Sequence, residues 1–147
     1  VGRLVYTLGT GTRSFDEFVA LLNRYEVQVV VDVRRFPRSR FSYFSCEELT
    51  KSLPQQGIDY YYLGGKLGGY KKGGYATFST TEEFKGGLEE LMGIASQRIT
   101  AIVCAEKLPW RCHRRFIGAE LSRQGWQVVH TIDEKQTWSP QGQFFVP

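Results

Sequence analysis

Two rhythms of apolar residues alternate along the chain. Short, near-continuous apolar runs suit strands covered on both faces, and apolar residues recurring every three or four positions suit helices with one buried face. Leu4 to Leu8 predicts the first strand. Ser14-Phe-Asp-Glu17 then has capping-box spacing, with Ser14 as N-cap and Glu17 reaching back. Phe15, Phe18, Val19, Leu22 and Tyr25 continue that helix to about Tyr25. Val27 to Val33, interrupted only by Gln28 and Asp32, predicts a second strand. Ser45-Cys-Glu-Glu48 offers another capping box, with Leu49 and Leu53 on one helical face and Pro54 and Gly57 as stops. Ile58 to Leu63 predicts a third strand.

Residues 64–75 follow, and six of the twelve are glycine, so the pattern predicts a loop. Thr80-Thr-Glu-Glu83 caps a helix carrying Phe84, Leu88, Leu91 and Ile94, weakened by Gly86 and Gly87 at ~1 kcal/mol each relative to Ala. Ile99 to Cys104 predicts the fourth strand. Pro109 suits the first turn of a helix that carries Phe116, Ile117, Ala119 and Leu121 and stops at Gly125. Val128 to Ile132 predicts the fifth strand. This repeated strand–helix order predicts an α/β fold: a single domain over residues 1–135, with a mostly parallel, about five-stranded sheet and helices on both faces, a Rossmann-like three-layer arrangement. Residues 136–147, with Trp138, Pro140, Phe144 and Phe145, form a C-terminal tail that the pattern does not place.

Composition adds limits. Apolar residues make up 41 % and charged residues 23 % of the 147-residue chain, ordinary values for a soluble domain, and aromatics are high at 14 %. No apolar run is long enough to cross a bilayer and the start has no signal-peptide pattern, so a cytoplasmic protein without membrane contact is expected. Cys46, Cys104 and Cys112 are an odd set with no CxxC pair, which argues against a disulfide framework and a four-ligand zinc site. With His113 and His130 the only histidines, neither a metal nor another cofactor is expected.

The net charge of +4 is mild, but its distribution is not. Asp32-Val-Arg-Arg-Phe-Pro-Arg-Ser-Arg40 leaves the second strand with four arginines in seven residues. Arginine carries a planar fork of donors suited to phosphate and carboxylate. Residues 34–40, 64–75 and 105–115 follow strands two, three and four, and together hold eleven of the nineteen Lys and Arg residues. Their one acid is Glu106, so these segments carry +10 and the rest of the chain −6. In open α/β sheets the ligand crevice lies beyond the carboxyl ends of the strands, so a parallel sheet would have one strongly positive rim. Tyr70 and Tyr75 interleave with Lys71 and Lys72, a pairing of stacking surface and charge used on single-stranded nucleic acid. A solvated basic loop and alternate core and surface packing of Tyr60-Tyr-Tyr62 are the plainer alternatives.

Cys104-Ala-Glu-Lys-Leu-Pro-Trp-Arg-Cys-His-Arg-Arg115 runs from a strand end into a helix start, an anion site in outline. Cys104 is either a nucleophile or a buried structural cysteine. Its six-residue spacing to Arg111, with Pro109 between, departs from the five of cysteine phosphatases. Asp32 and Glu106 are the candidate acid or base groups, with ion pairing to arginine as the alternative. His113 would bind phosphate or donate a proton, and His130 fits a core position. Gly9-Thr-Gly-Thr-Arg13 bridges a strand and a capped helix but is neither a P-loop nor a GxGxxG fingerprint.

Arg13-Ser-Phe-Asp-Glu-Phe18, Asp32 to Arg40, Leu67-Gly-Gly69, Cys104-Ala-Glu-Lys107 and Cys112-His-Arg114, in this order, resemble the family catalogued as domain of unknown function 488. The resemblance covers nearly the whole chain. It implies a small prokaryotic α/β domain and brings no settled activity. Gly9-Thr-Gly11 stands where a Gly-His-Ser-like turn is common, and Leu108 replaces an Asp before the proline, removing the expected cap of the fourth helix.

These readings lead to an expected enzyme or binding domain acting on nucleic acid or nucleotides. Arg34, Arg35, Arg38, Arg40, Lys107, Arg111, His113 and Arg114 would grip phosphate, and Lys71 and Lys72 would close over it. Asp32 or Glu106 would activate water to hydrolyse a phosphodiester or a glycosidic bond. Arg34 and Arg35 alternate in direction, so at least one arginine of the run is expected to hold Asp32 or Glu106 instead. A Cys104-dependent phosphatase or sulfurtransferase and a non-catalytic sensor of an anionic ligand are the alternatives.

Overall fold

The computed structural model describes residues 3–36, 41–68, 74–139 and 144–145. In chain order the elements are β1 (Leu4–Gly9), α1 (Phe15–Arg24), β2 (Val29–Asp32), α2 (Cys46–Gln55), β3 (Asp59–Tyr62), α3 (Gly64–Leu67), α4 (Tyr75–Phe78), α5 (Glu82–Ala95), β4 (Thr100–Cys104), α6 (Arg114–Arg123), β5 (Gln127–Thr131), β6 (Thr137–Trp138) and β7 (Phe144–Phe145). Single 3₁₀ turns lie at Ser42–Phe44 and Pro109–Arg111. The sheet has the order β3-β2-β4-β1-β5-β6-β7. Its first five strands are parallel, and β6 and β7 are added antiparallel. The expected parallel α/β sheet is therefore present, and part of the tail extends it.

Period-two alternation sorts the core. Val29, Val31, Val33, Ile102 and Cys104 face one side, with Tyr75, Phe84, Leu88, Leu91, Ile117 and Leu121 of the helices packed there. Val30, Ala101 and Val103 face the other, against Phe18, Leu22, Leu49 and Leu53 of α1 and α2. Both faces of β2 and β4 are buried, which is why these strands read as continuous apolar runs.

Local signals explain the helix starts. Ser14 and Glu17 make the full capping box, and Ser45 accepts the backbone N–H of Glu48. The third cap is Thr81, not Thr80, because Thr81 accepts the Phe84 N–H while Thr80 turns to the Thr77 carbonyl. Gly87 is a packing device within α5. A Cβ there would lie 2.8 Å from Lys66 Cβ and 3.0 Å from Leu67 Cγ, so glycine lets α3 approach. Two stretches depart from the pattern reading. The glycine-rich segment begins with the helical turn α3 and ends on the first residue of α4, so its described part is not simply a loop. The helix expected from Pro109 is interrupted: Pro109–Arg111 is 3₁₀, Cys112 is extended, and α6 begins only at Arg114. Neither Leu108 nor His113 caps with its side chain, so nothing extends the first turn.

The connection from β2 goes through α2 to β3 at one edge, and that from β4 goes through α6 on the opposite face toward β5. Adjacent strands whose connections diverge open a crevice at their carboxyl ends. Asp32 pairs in register with Val103 and Tyr62 at that point. Among the described residues no helix is long and apolar enough to cross a membrane.

Candidate functional site

Asp32 ends β2 fully buried, and its carboxylate is saturated with donors. Oδ1 accepts the Arg34 backbone N–H at 3.0 Å and Arg34 Nε–H at 2.9 Å. Oδ2 accepts Arg34 Nη2–H at 2.6 Å and the Tyr60 hydroxyl at 2.6 Å. Burial, followed by the Asp32 charge, raises the Tyr60 pKa, so the phenol stays protonated and donates. Burial would lower the Arg34 pKa, but its bonds and charge pairing with Asp32 raise it overall. With every lone-pair direction taken, Asp32 is a poor general base, which corrects its assignment as an acid or base residue. Arg34, 5 % exposed, is the arginine that holds Asp32, and its role as an exposed phosphate contact is corrected accordingly. Its Nη1 is buried and has no partner among the described residues.

Across the crevice, the end of β4 faces the start of α6. Cys104 Sγ and Cys112 Sγ lie 2.6 Å apart. Cys112 Sγ accepts the Arg114 backbone N–H at 3.4 Å and lies 3.5 Å from His113 Nδ1. Burial pushes the Cys104 thiol well up, whereas the hydrogen bond from Cys104 and the neighbouring His113 pull Cys112 down. The pair therefore ionises at Cys112, and Cys104 keeps its proton, which is the physical reason against Cys104 as the nucleophile. His113 is fully engaged. Its Nε2–H donates to the Val33 carbonyl at 2.8 Å and its Nδ1 faces Cys112, so it has no free ring nitrogen for phosphate.

Arg114 is also internal. It is fully buried, donates to Thr7 Oγ1 at 3.0 Å and to the Glu106 and Lys107 carbonyls at 3.1 and 2.8 Å, and thereby ties the 105–111 segment to β1. Its buried guanidinium holds that segment in place, which corrects its role as an exposed phosphate contact. Thr7 Oγ1 in turn meets His130 Nδ1 at 2.7 Å, and burial beside the Arg114 charge pushes the His130 pKa down to about 3. His130 is a core residue, as the pattern suggests. Gly9 must be glycine because a Cβ there would sit 1.8 Å from the Glu106 carbonyl oxygen.

The remaining candidates divide clearly. Arg35, Lys107 and Arg111 are exposed at the rim, and the Arg35 guanidinium lies 5.4 Å from the ring centroid of Phe36. Glu106 is half-buried, and no hydrogen bond or ion pair of its carboxylate is seen among the described residues, so it is the candidate carboxylate left for chemistry. Arg38, Arg40, Tyr70, Lys71 and Lys72 lie outside the described residues. Tyr75 is not a stacking platform: it is buried against Phe78, Phe84, His113 and Phe116, and donates to the Leu67 carbonyl. Toward β5 the rim changes character. A cleft of about 470 Å³ there mixes Arg13, Lys107 and Lys135 with Glu17, Asp133 and Glu134.

Two residues at this edge lie outside the candidate set read from the sequence. Arg13 donates to the Gly9 and Ile132 carbonyls and bridges the ends of β1 and β5. Arg13 heads the first motif of the family resemblance, but the sequence does not assign it this bridging role. Cys112 had a usable signal, a cysteine directly before His113 at a helix start, where thiolates are stabilised. Among the described residues no group of three or more His, Cys, Asp and Glu side chains is placed to hold a metal ion.

A mostly parallel α/β sheet with diverging connections defines a doubly wound domain, and the exposed cations Arg35, Lys107 and Arg111 lie beyond the carboxyl ends of β2 and β4. The family model described as "Domain of unknown function DUF488" matches residues 14–121, and the chain belongs to that family. No curated protein and no solved structure matches the chain.

Proposed function

We propose that this domain binds a phosphate-bearing ligand of the nucleic-acid or nucleotide class across the carboxyl ends of β2, β3 and β4. The observation that carries the reading is charge segregation. The three segments bearing +10 all leave the same edge of one parallel sheet. With Arg34 and Arg114 internal, the contacts fall to Arg35, Lys107 and Arg111, joined by Arg38, Arg40, Lys71 and Lys72. Glu106 is the group available to activate water in hydrolysis of a phosphodiester or glycosidic bond.

The test is a mobility-shift titration with single- and double-stranded oligonucleotides. The paired substitutions Lys107→Glu and Arg111→Glu are expected to weaken binding by at least about tenfold, since each removes a phosphate contact and adds repulsion. Arg24→Glu with Arg123→Glu, at the far ends of α1 and α6, should leave it within about twofold. Equal loss in both pairs would refute a localised site.

A second reading, a cysteine-dependent phosphatase or sulfurtransferase, is favoured by the Cys112 sulfur accepting the Arg114 N–H beside His113. It requires turnover of a small phosphate ester or sulfur donor that Cys112→Ser abolishes. Ligand-dependent thermal stabilisation without any turnover would instead identify a sensor.

A further inference from the structure

We propose that Cys104 and Cys112 are an oxidation site that closes reversibly into a disulfide, joining the end of β4 to the start of α6. This goes beyond the anion-binding reading and does not depend on it. The sulfurs are 2.6 Å apart, and a disulfide needs about 2.05 Å, so closure takes a shift of about half an ångström. The two cysteines lie on different elements, yet both belong to one core cluster and face the same side of the sheet. Their environments are unequal in the way a thiol pair needs. Cys112 is the attacking sulfur, steadied by the Arg114 N–H and His113, while Cys104 lies deeper, 2 % exposed, as the resolving thiol.

With hydrogen peroxide as oxidant, the Cys112 thiolate attacks one oxygen and breaks the O–O bond. One proton is taken up, water leaves and Cys112 becomes a sulfenic acid. The Cys104 sulfur then attacks the Cys112 sulfur, its proton leaves with the hydroxyl as a second water, and the S–S bond forms. Two thiols are oxidised, and one peroxide is reduced to two waters. A dithiol reductant reverses the process. The ring so closed contains Glu106, Lys107 and Arg111, so oxidation pins both ends of the segment that carries them.

The experiment treats the reduced chain with hydrogen peroxide at neutral pH, alkylates the remaining thiols and maps the tryptic peptides. Cleavage after Arg98, Lys107, Arg111 and Arg114 separates the two cysteines. The expected product is a single species in which the 99–107 peptide is linked to the 112–114 peptide, has lost two hydrogens and is released by dithiothreitol, with Cys46 still alkylated. In Cys104→Ala the expected product is a Cys112 sulfenic acid that a dione probe traps. In Cys112→Ala, Cys104 should remain reduced. Cross-links through Cys46, sulfinic acid at Cys112 with Cys104 still free, or no reaction at either residue would each overturn the proposal.

Discussion

Removing one member of the Asp32–Arg34 pair should cost far more than removing both. Asp32 is fully buried and Arg34 nearly so, and the pair is joined by side-chain bonds of 2.6 to 3.1 Å. Arg34→Met leaves a buried carboxylate with only the Tyr60 hydroxyl and a backbone N–H, and Asp32→Leu leaves a buried guanidinium with no counter-charge. Each is expected to destabilise by about 3–5 kcal/mol, the cost of an uncompensated buried charge. That is a large share of the roughly 5–15 kcal/mol that holds a domain folded. The double variant loses both charges together. Its expected cost is about 1 kcal/mol, mainly the Tyr60 hydroxyl left without an acceptor, so the coupling energy should be at least about 5 kcal/mol. Urea unfolding followed by tryptophan fluorescence and far-ultraviolet dichroism measures all four corners of the cycle, with coincident transitions as the two-state check. Single variants costing under about 1 kcal/mol, or a double variant equal to the sum of the singles within about 0.5 kcal/mol, would refute the reasoning. Such a result would return Arg34 to the candidate rim contacts.

Three further outcomes are expected. His130, held neutral by burial with its pKa near 3 against an ordinary ~6.5, is neutral in both states above pH ~6.5; below that only the unfolded chain takes the proton. Stability should therefore fall as the pH drops from ~6.5 toward 3, by roughly 2 kcal/mol at pH 5, in urea titrations, and His130→Asn should remove that part of the slope; an unchanged slope would contradict it. Gly86→Ala meets open space on α5 and should raise the unfolding free energy from urea titration by about 1 kcal/mol, while Gly87→Ala should lower it by crowding Lys66 and Leu67; the same sign for both would contradict the packing of α3 on α5. Gly9→Ala drives a methyl into the Glu106 backbone and should destabilise by at least about 2 kcal/mol by thermal or urea unfolding, because only backbone can yield there; a neutral effect would contradict the β1–loop contact.

Element type was legible wherever periodicity and caps agreed. The Ser14 box, the buried run of β2 and the repeated strand–helix order each carry their cause in adjacent residues. The break at Cys112 was legible in part: the missing cap at Leu108 shows in the sequence, whereas the contacts of Cys112 with Cys104 and of His113 with the Val33 carbonyl are tertiary. The same limit separates the cations. In sequence Arg34 and Arg35 look alike, and so do Arg114 and Arg115. Only the fold turns Arg34 onto Asp32 and drives Arg114 inward to Thr7, while Arg115 stays exposed and donates to the Trp110 carbonyl. Charge density along the chain thus counts Arg34 and Arg114 with the exposed cations, although both are buried. Tyr75 was misread for a related reason: its glycine-rich neighbourhood suggests solvent, yet it begins a helical turn that packs under α5 and α6.

The central claim, that the β2–β4 rim takes a phosphate-bearing polyanion, is tested most directly by the salt dependence of oligonucleotide affinity. Each phosphate neutralised on a duplex releases counterions and contributes about −0.9 to the slope of log affinity against log salt, or about −0.7 on a single strand. Arg35, Lys107 and Arg111 acting together predict a slope of about −2 to −3 or steeper, made shallower by about two contacts in the Lys107→Glu, Arg111→Glu variant. Binding absent at low salt, or a slope near zero that the substitutions leave unchanged, would contradict the account.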